Sequence, residues 1–210
     1  MSKETVERTN RQMKDFVSTR LNPLLESGYY ATITDSKVDS LEKKKIRNSF
    51  LLFRSSSKGA AVEGVDIDYL SLDEYDRVGA AAELSAIESM SSSQFKMLRR
   101  WSTPTVPDYG IHALFEQSDQ RVYMHKCDHC GYRQQMDYEK NIECVDESGV
   151  DLLAKTVKDG TFRFICKKCG KALDRWYNGE WVAKFPDRTI NNQGTRGYLV
   201  TQLDAVWINL

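Results

Sequence analysis

The sequence has 210 residues, which suits one large domain or a domain that carries a second, smaller one. Hydrophobic residues make up 40% of it and charged residues 29%, which excludes a wholly disordered chain. Thirty lysines and arginines match thirty aspartates and glutamates, so a polybasic, histone-like protein is excluded, whereas a local basic patch is not. The sequence lacks an apolar run long enough to cross a membrane, and residues 1–8 are too polar for a signal peptide. We therefore expect a soluble, intracellular protein with no membrane partner.

The first quarter of the sequence predicts a helix followed by strands. Residues 5–25 have helical spacing, which the Asn22-Pro23 pair is expected to break or kink. Residues 29–35 favour a short strand. The apolar run within residues 46–53 favours a buried strand.

The next segment predicts a strand and two helices in an α/β arrangement. Apolar residues within 64–76 favour a strand that runs into adjacent carboxylates. A helix is expected over residues 80–90, with Leu84 on its apolar side, and another over 94–100. Strand, helix and strand in this order predict a parallel α/β sheet.

Cysteine spacing is the most specific pattern in the sequence. Five cysteines cannot form a complete set of disulfides, but four of them form two Cys-x-x-Cys pairs, each followed by glycine. Two such pairs can surround one metal ion with four sulfurs, which is typical of a structural zinc ribbon with no open coordination position. The alternatives are a redox dithiol and a chance pattern. The predicted zinc ligands are Cys127, Cys130, Cys166 and Cys169.

The acidic end of the predicted middle strand is the candidate catalytic feature. In open α/β sheets, ligands bind at the carboxyl ends of strands, where one carboxylate can hold Mg²⁺ and the next can orient the attacking water. Asp73 and Glu74 fit these two roles, although acidic pairs at strand ends are also common as solvated turns. Ser102 and Thr103 follow about one strand–helix–strand unit later, where hydroxyl groups can respond to a γ-phosphate; the alternative is an ordinary turn before proline.

A phosphate-binding loop is missing from the sequence. No Gly-x-x-x-x-Gly-Lys-Ser/Thr occurs, and the one Gly-Lys pair, Gly170-Lys171, lies beside the second cysteine pair. Without such a loop and its lysine, the chain alone is expected to bind ATP poorly. The sequence therefore predicts part of an ATPase.

Several short motifs occur in an order that matches one protein family over about residues 10–207. They are Leu72-Asp73-Glu74 within residues 64–76, Ser102-Thr103-Pro104, Gly110-Ile111, Ser118-Asp119-Gln120-Arg121, the two cysteine pairs with Gln134, Gly179-Glu180-Trp181-Val182, Gly197-Tyr198, Gln202-Leu203 and Trp207. On these motifs the chain resembles the ATPase region of tailed-phage large terminase subunits, of the zinc-bearing GpA-like type. The individual motifs are short, and specificity comes from their succession.

The resemblance implies a fold and a domain organisation. The fold would be α/β, a P-loop-NTPase-like parallel sheet that lacks the phosphate-loop unit and carries an inserted, β-rich zinc ribbon. Residues 1–120 would be a partial ATPase domain and residues 121–185 the zinc ribbon. Residues 186–210 would return to the core or begin a linker toward a nuclease domain. The chain is accordingly expected to be an internal portion of a terminase.

The resemblance also implies a function. It would be an ATP-driven motor that packages viral double-stranded DNA into procapsids in the cytoplasm of the bacterial host. Asp73 would bind the Mg²⁺ of Mg–ATP, Glu74 would be catalytic, and Ser102 and Thr103 would couple hydrolysis to movement. The implied partners are DNA, a small terminase subunit, the portal or procapsid, and further copies of the chain. Zn²⁺ would be structural, and Mg²⁺ and ATP would act in the complete protein.

Two alternatives stay open. Asp73-Glu74-Tyr75-Asp76 also matches the Asp-Glu-x-Asp motif of superfamily 2 helicases, which would make the chain a helicase-like ATPase fragment with a zinc ribbon. The other alternative is a non-enzymatic zinc-ribbon module that binds DNA or protein, because basic and aromatic residues surround the second cysteine pair. Those residues are Lys167, Lys168, Lys171, Arg175, Trp176 and Tyr177.

Overall fold

The structure is a computed structural model that describes residues 11–55, 64–145, 161–176, 178–192 and 194–206. The chain divides into two compact units, Met1–Thr105 and Val106–Leu210. Both combine helices with sheets, and one pair of strands in the first unit is parallel. No helix within the described ranges is long and apolar enough to span a membrane.

The first unit begins with short helical segments. A π-helical turn, Val17–Leu21, leads into α1 (Asn22–Leu25), so the irregularity predicted near Pro23 is a π turn that precedes the proline. Residues 5–10 of the predicted helix lie outside the described residues. Helix α2 (Gly28–Ala31) occupies the start of the strand predicted for residues 29–35, so that prediction was wrong there. Both tyrosines of α2 are more than half exposed.

A three-stranded antiparallel sheet follows. Its strands are β1 (Thr34–Asp39), β2 (Lys43–Ile46) and β3 (Ser49–Leu52). The strand predicted from the apolar run within residues 46–53 is present as β3, but the prediction that it is buried was wrong, because its side chains are mostly exposed. The chain reverses before it at Arg47, whose φ is +51°. Phe50 is half exposed, whereas Lys44 is buried and pairs with Asp39.

A strand–helix–strand element completes the described part of the first unit. Strand β4 (Tyr69–Leu72), helix α3 (Ala80–Glu88) and strand β5 (Met97–Arg100) follow one another, and the strands pair in parallel. The predicted parallel pairing is therefore confirmed for these two strands. The helix predicted over residues 94–100 was wrong: its second half is β5, which is extended because its backbone bonds to β4.

Helix α3 packs on the β4–β5 pair through small residues. Ala86 joins Leu70, Leu72 and Met90 in one buried cluster. Leu84, predicted on the apolar side of the helix, is instead 69% exposed. Alanines let the helix backbone approach the sheet closely, and the packed cluster holds the strand ends in place.

The second unit is built mainly of strands. Helix α4 (Gly110–Gln117) leads into β6 (Arg121–Lys126), which pairs with β7 (Arg133–Gln134), β10 (Gly179–Ala183) and β11 (Tyr198–Leu199). Between β7 and β10 lie α5 (Tyr138–Asn141) and an antiparallel pair, β8 (Ile142–Val145) with β9 (Thr161–Phe164). Its buried cluster contains two cysteines, Cys127 and Cys166, with Met136 and Leu173. The cysteines thus lie at the centre of this unit.

Candidate functional site

The four predicted metal ligands lie together. The sulfur atoms of Cys127, Cys130, Cys166 and Cys169 are all within 4.8 Å of one another. Two of the sulfur–sulfur distances, Cys127 to Cys169 and Cys130 to Cys166, are 3.7 Å. A tetrahedral zinc site with Zn–S bonds of about 2.3 Å requires sulfurs about 3.8 Å apart. The cluster can therefore bind a metal ion such as zinc with no change of fold.

Two turns of the same design hold these cysteines, the first knuckle (residues 127–131) and the second knuckle (residues 166–170). In the first, the Cys127 N–H donates to the Tyr132 carbonyl at 2.9 Å, and the Gly131 N–H donates to the Cys127 carbonyl at 2.8 Å. In the second, the Gly170 N–H donates to the Cys166 carbonyl at 2.8 Å. The glycines have φ of +69° and +67°, which explains why glycine follows each pair.

A buried pair of amide side chains joins the two knuckles. The side-chain amide oxygen of Gln134 accepts hydrogen bonds from the Asn141 side chain at 2.9 Å and from the Lys167 backbone N–H at 3.0 Å. The Asn141 side chain also donates to the Ile165 carbonyl at 2.8 Å. Both amides are fully buried. Gln134 was noted only as part of a motif, and Asn141 was missed because its partners are distant in sequence.

The pKa values of two of the thiols are shifted in opposite directions. Burial raises the pKa of the Cys166 thiol, but N–H groups of Cys169 and Lys168 outweigh it and lower this pKa to about 6. The Tyr132 N–H lowers the pKa of Cys130, yet desolvation and the neighbouring thiols raise it to about 11. Four thiolates therefore repel one another unless a cation lies among them, and metal binding would release protons.

The chain after β11 is fixed beside this centre by a buried histidine. The His125 Nε2 atom lies 2.9 Å from the Asp204 carboxylate, which also accepts from the Thr201 hydroxyl at 2.7 Å. Burial raises the pKa of Asp204, but these hydrogen bonds outweigh it and keep the pKa below its usual range. Arg175 donates to the Leu203 and Ala205 carbonyls. His125 is thus a structural residue, which its sequence position did not reveal; Trp207 and Tyr177 lie outside the described residues.

The predicted catalytic carboxylates lie at the end of the parallel strand pair. Strands β4 and β5 end side by side, with Leu72 opposite Arg100. The Tyr75 N–H donates to the Trp101 carbonyl at 2.9 Å, so the turn after β4 is bonded directly to the chain after β5. The Asp73 carboxylate accepts the Glu74 N–H at 3.0 Å. The structure therefore brings the acidic pair and the hydroxyl segment to one edge.

Both carboxylates are open to solvent. Asp73 and Glu74 are exposed, and neither makes an ion pair with any residue that the structure describes. Glu74 has φ +50° and ψ +47°, a left-handed backbone that is uncommon for glutamate. The same left-handed backbone occurs at four other described residues, so it marks a tight turn after β4 and does not by itself assign a role to Glu74.

The hydroxyl segment is tied to the acidic turn through its backbone and through Asp76. The Ser102 hydroxyl accepts the Asp76 N–H at 3.3 Å and donates to the Thr103 carbonyl at 3.2 Å. The Asp76 carboxylate accepts from both the N–H and the hydroxyl of Thr105, each at 2.9 Å. These hydrogen bonds join the two loops. Asp76, the last residue of the Asp-Glu-x-Asp sequence, acts here as a tether.

A half-buried glutamate on helix α3 forms hydrogen bonds at the β4–β5 edge. Glu83 accepts the Tyr75 hydroxyl at 2.9 Å and the Arg100 guanidinium at 2.7 Å. Tyr75 follows the acidic pair, and Arg100 ends β5. One carboxylate on the helix thus links both strand ends, and no local sequence pattern indicates this link.

The Ser118-Asp119-Gln120-Arg121 motif forms a buried polar junction in the second unit. The fully buried Asp119 carboxylate accepts the Arg121 guanidinium at 2.7 Å, the Thr189 hydroxyl at 3.1 Å and the Gly197 N–H at 3.1 Å. These partners come from β6, from a 3₁₀ segment (Pro186–Asn192) and from the start of β11. The motif therefore serves the architecture of this unit.

Replacing Asp119 is expected to destabilise the second unit. In Asp119→Asn, an amide group would face hydrogen-bond donors and the buried Arg121 pair would be lost, so we expect the free energy of unfolding to fall by about 3 kcal/mol. Urea denaturation followed by circular dichroism measures this change. Asp187→Asn, at an exposed aspartate of the same unit, is the control, and equal midpoints for the two variants would contradict the assigned role.

Comparison with known proteins identifies the family. The fold and site describe an α/β protein with an acidic strand end and a four-cysteine centre. The model of the ATPase domain of the phage terminase large subunit gpA matches residues 4–184, most of the chain. The chain therefore belongs to this family, as the succession of motifs predicted. No curated protein and no solved structure matches it.

Proposed function

We propose that this chain is the ATPase segment of a large terminase subunit, within the motor that packages viral double-stranded DNA into procapsids. The family match supports the class of protein and its connection with DNA packaging. The observation that carries the ATPase site is the β4–β5 edge, where the exposed carboxylates of Asp73 and Glu74 lie beside the segment that begins at Ser102. This edge belongs, in our proposal, to a P-loop-NTPase-like sheet.

Each residue of the edge has a proposed role. Asp73 would hold the Mg²⁺ ion that accompanies ATP, which supplies charge neutralisation at the phosphates. Glu74 would orient and deprotonate the attacking water. Ser102 and Thr103 would respond to the state of the γ-phosphate, and the Asp76–Thr105 tether would carry that response to the acidic turn. Because the sequence contains no phosphate-binding loop, we infer that the chain alone binds Mg–ATP weakly.

The proposed partners and location follow from the family. They are double-stranded DNA, a small terminase subunit, the portal of the procapsid and further copies of the chain, in the cytoplasm of the bacterial host. We also propose residues 121–185 as the zinc ribbon between a partial ATPase domain (1–120) and a return to the core (186–210). The family match favours this interpretation over a helicase.

A packaging reaction tests the proposal. ATP consumption and the protection of duplex DNA from nuclease are followed in a reaction that contains procapsids and the other terminase components, with and without this chain. We expect both to depend on the chain, because the motor cannot turn over without its acidic edge. Equal ATP consumption and equal DNA protection in its absence would overturn the proposal.

Zinc analysis tests the metal centre. We expect about one zinc ion per chain in natively purified protein, because four sulfurs at tetrahedral spacing complete one coordination shell. Inductively coupled plasma mass spectrometry measures the ratio. Protein that folds and elutes normally without zinc or another divalent metal would contradict a four-sulfur metal site.

A further inference from the structure

An open cleft lies where the tips of the two knuckles meet. It has a volume of about 490 Å³ and is lined by Tyr132, Lys140, Lys167 and Lys168. Tyr132 directly follows the first knuckle, and the two adjacent lysines belong to the second. The buried Gln134–Asn141 pair fixes these elements against each other, since Gln134 binds the Lys167 backbone and Asn141 ends the helix that carries Lys140. The cleft is therefore a preformed feature of the metal centre.

The positive charge of this cleft is concentrated around one aromatic ring. The ammonium groups of Lys167 and Lys168 lie 6.0 Å and 5.5 Å from the centre of the Tyr132 ring. Among the described residues, neither lysine forms an ion pair, whereas Lys140 lies 3.4 Å from the Asp137 carboxylate. Cation–π contacts of this kind are weak at exposed sites, so they position the ammonium groups without neutralising them.

We propose that this cleft binds the sugar-phosphate backbone of duplex DNA. The inference rests on the proposed function, in which DNA is the substrate, and adds the place where the second unit contacts it. Three lysines at one open cleft are complementary to phosphate oxygens. The Tyr132 ring already carries two ammonium groups, so it is less available for stacking on an unpaired base. Contact is therefore with the backbone and is independent of base sequence.

A competing role for these lysines is charge compensation at the metal. A divalent zinc ion with four thiolates has a net charge of about −2, which nearby ammonium groups would stabilise. The two roles differ in their consequences. If the lysines serve the metal, their removal releases zinc and leaves no separate effect on DNA; if they serve DNA, zinc is retained and binding weakens.

DNA binding by the full, zinc-loaded chain tests the proposal. Fluorescence anisotropy with a labelled duplex is measured from about 50 to 200 mM salt for the native chain and for Lys167→Gln/Lys168→Gln. We expect the slope of log K against log salt to become shallower by about 2 and the affinity at low salt to fall about ten-fold, because about one phosphate contact is lost per lysine. Zinc content is measured in the same samples.

Two further variants make the result decisive. Lys184→Gln removes the same charge from the same unit, at an exposed lysine that lies 5.2 Å from the Phe185 ring centre and does not line the cleft; it should leave the slope unchanged. Lys140→Gln, outside both knuckles, should reduce the slope by a measurable amount below 1, because the Asp137 carboxylate offsets part of the Lys140 charge. If the double variant loses zinc, the salt dependence of Lys140→Gln decides whether the cleft binds DNA.

Several outcomes would overturn the inference. They are native salt dependence in both cleft variants, tighter binding of single strands than of duplex, and displacement of DNA by Mg–ATP, which would make the cleft a nucleotide site. None of these measurements involves hydrolysis. A failure here would therefore leave the proposed ATPase edge standing, and a failure of that edge would leave DNA binding by this cleft unchanged.

Discussion

Cys166→Ser is expected to unfold most of the second unit, Val106–Leu210. Among the described residues of this unit, Cys127 and Cys166 themselves form a buried cluster with Met136 and Leu173, so loss of the metal disrupts the centre of that cluster. Metal binding contributes about 10 kcal/mol or more to the folding of small zinc domains, which is comparable to the whole stability of a typical domain. We expect loss of bound zinc and of the cooperative thermal transition, measured by metal analysis and circular dichroism.

The control for this experiment is Cys144→Ser. The sequence leaves Cys144 outside both Cys-x-x-Cys pairs, so this variant should retain about one zinc ion and a native melting curve. Chelation of zinc from the native chain should reproduce the Cys166→Ser result, and return of zinc should reverse it. A chelated chain that melts like the native protein would show that the four sulfurs are not a structural metal site.

The four-cysteine cluster was predictable because its determinants are local. Two pairs of cysteines, each followed by glycine, specify two turns with left-handed glycines and identical hydrogen bonds. The acidic end of β4 was predictable for a similar reason, because apolar residues that end at Asp73 and a helix that follows indicated a strand with a carboxylate at its end. The second strand of this edge, β5, was not predicted. In both cases the pattern lies within one short stretch of sequence, or within two equivalent stretches.

The remaining features depend on contacts between distant residues. Residues 97–100 have no strong strand pattern and become β5 only because β4 provides hydrogen-bond partners. His125 and Asp204 are 79 positions apart, and Gln134 and Lys167 are 33 apart, so no spacing rule brings them together. Phe50 and Leu84 are exposed because of the side of the strand or helix on which each lies. The apolar character of a residue does not by itself specify that side.

Glu74→Gln is expected to abolish ATP hydrolysis by the packaging motor while sparing nucleotide binding. The substitution keeps the size of the side chain and the backbone N–H that bonds to Asp73 at 3.0 Å, so the turn and the proposed Mg²⁺ ligand remain. It removes the charge and the basicity that would deprotonate water, and loss of a general base lowers turnover by about 100-fold to 10,000-fold. Phosphate release by the assembled motor measures turnover, and displacement of a fluorescent nucleotide measures binding.

A matched control separates chemistry from folding. Glu88→Gln makes the same change at an exposed glutamate at the end of α3, in the same unit, and should leave turnover at the native level. Asp73→Asn should instead raise the Mg²⁺ concentration required for hydrolysis, because one ligand of the ion becomes neutral. Turnover retained by Glu74→Gln would remove Glu74 from the catalytic role, and equal loss in Glu88→Gln would attribute the effect to altered packing of α3 on the strand pair.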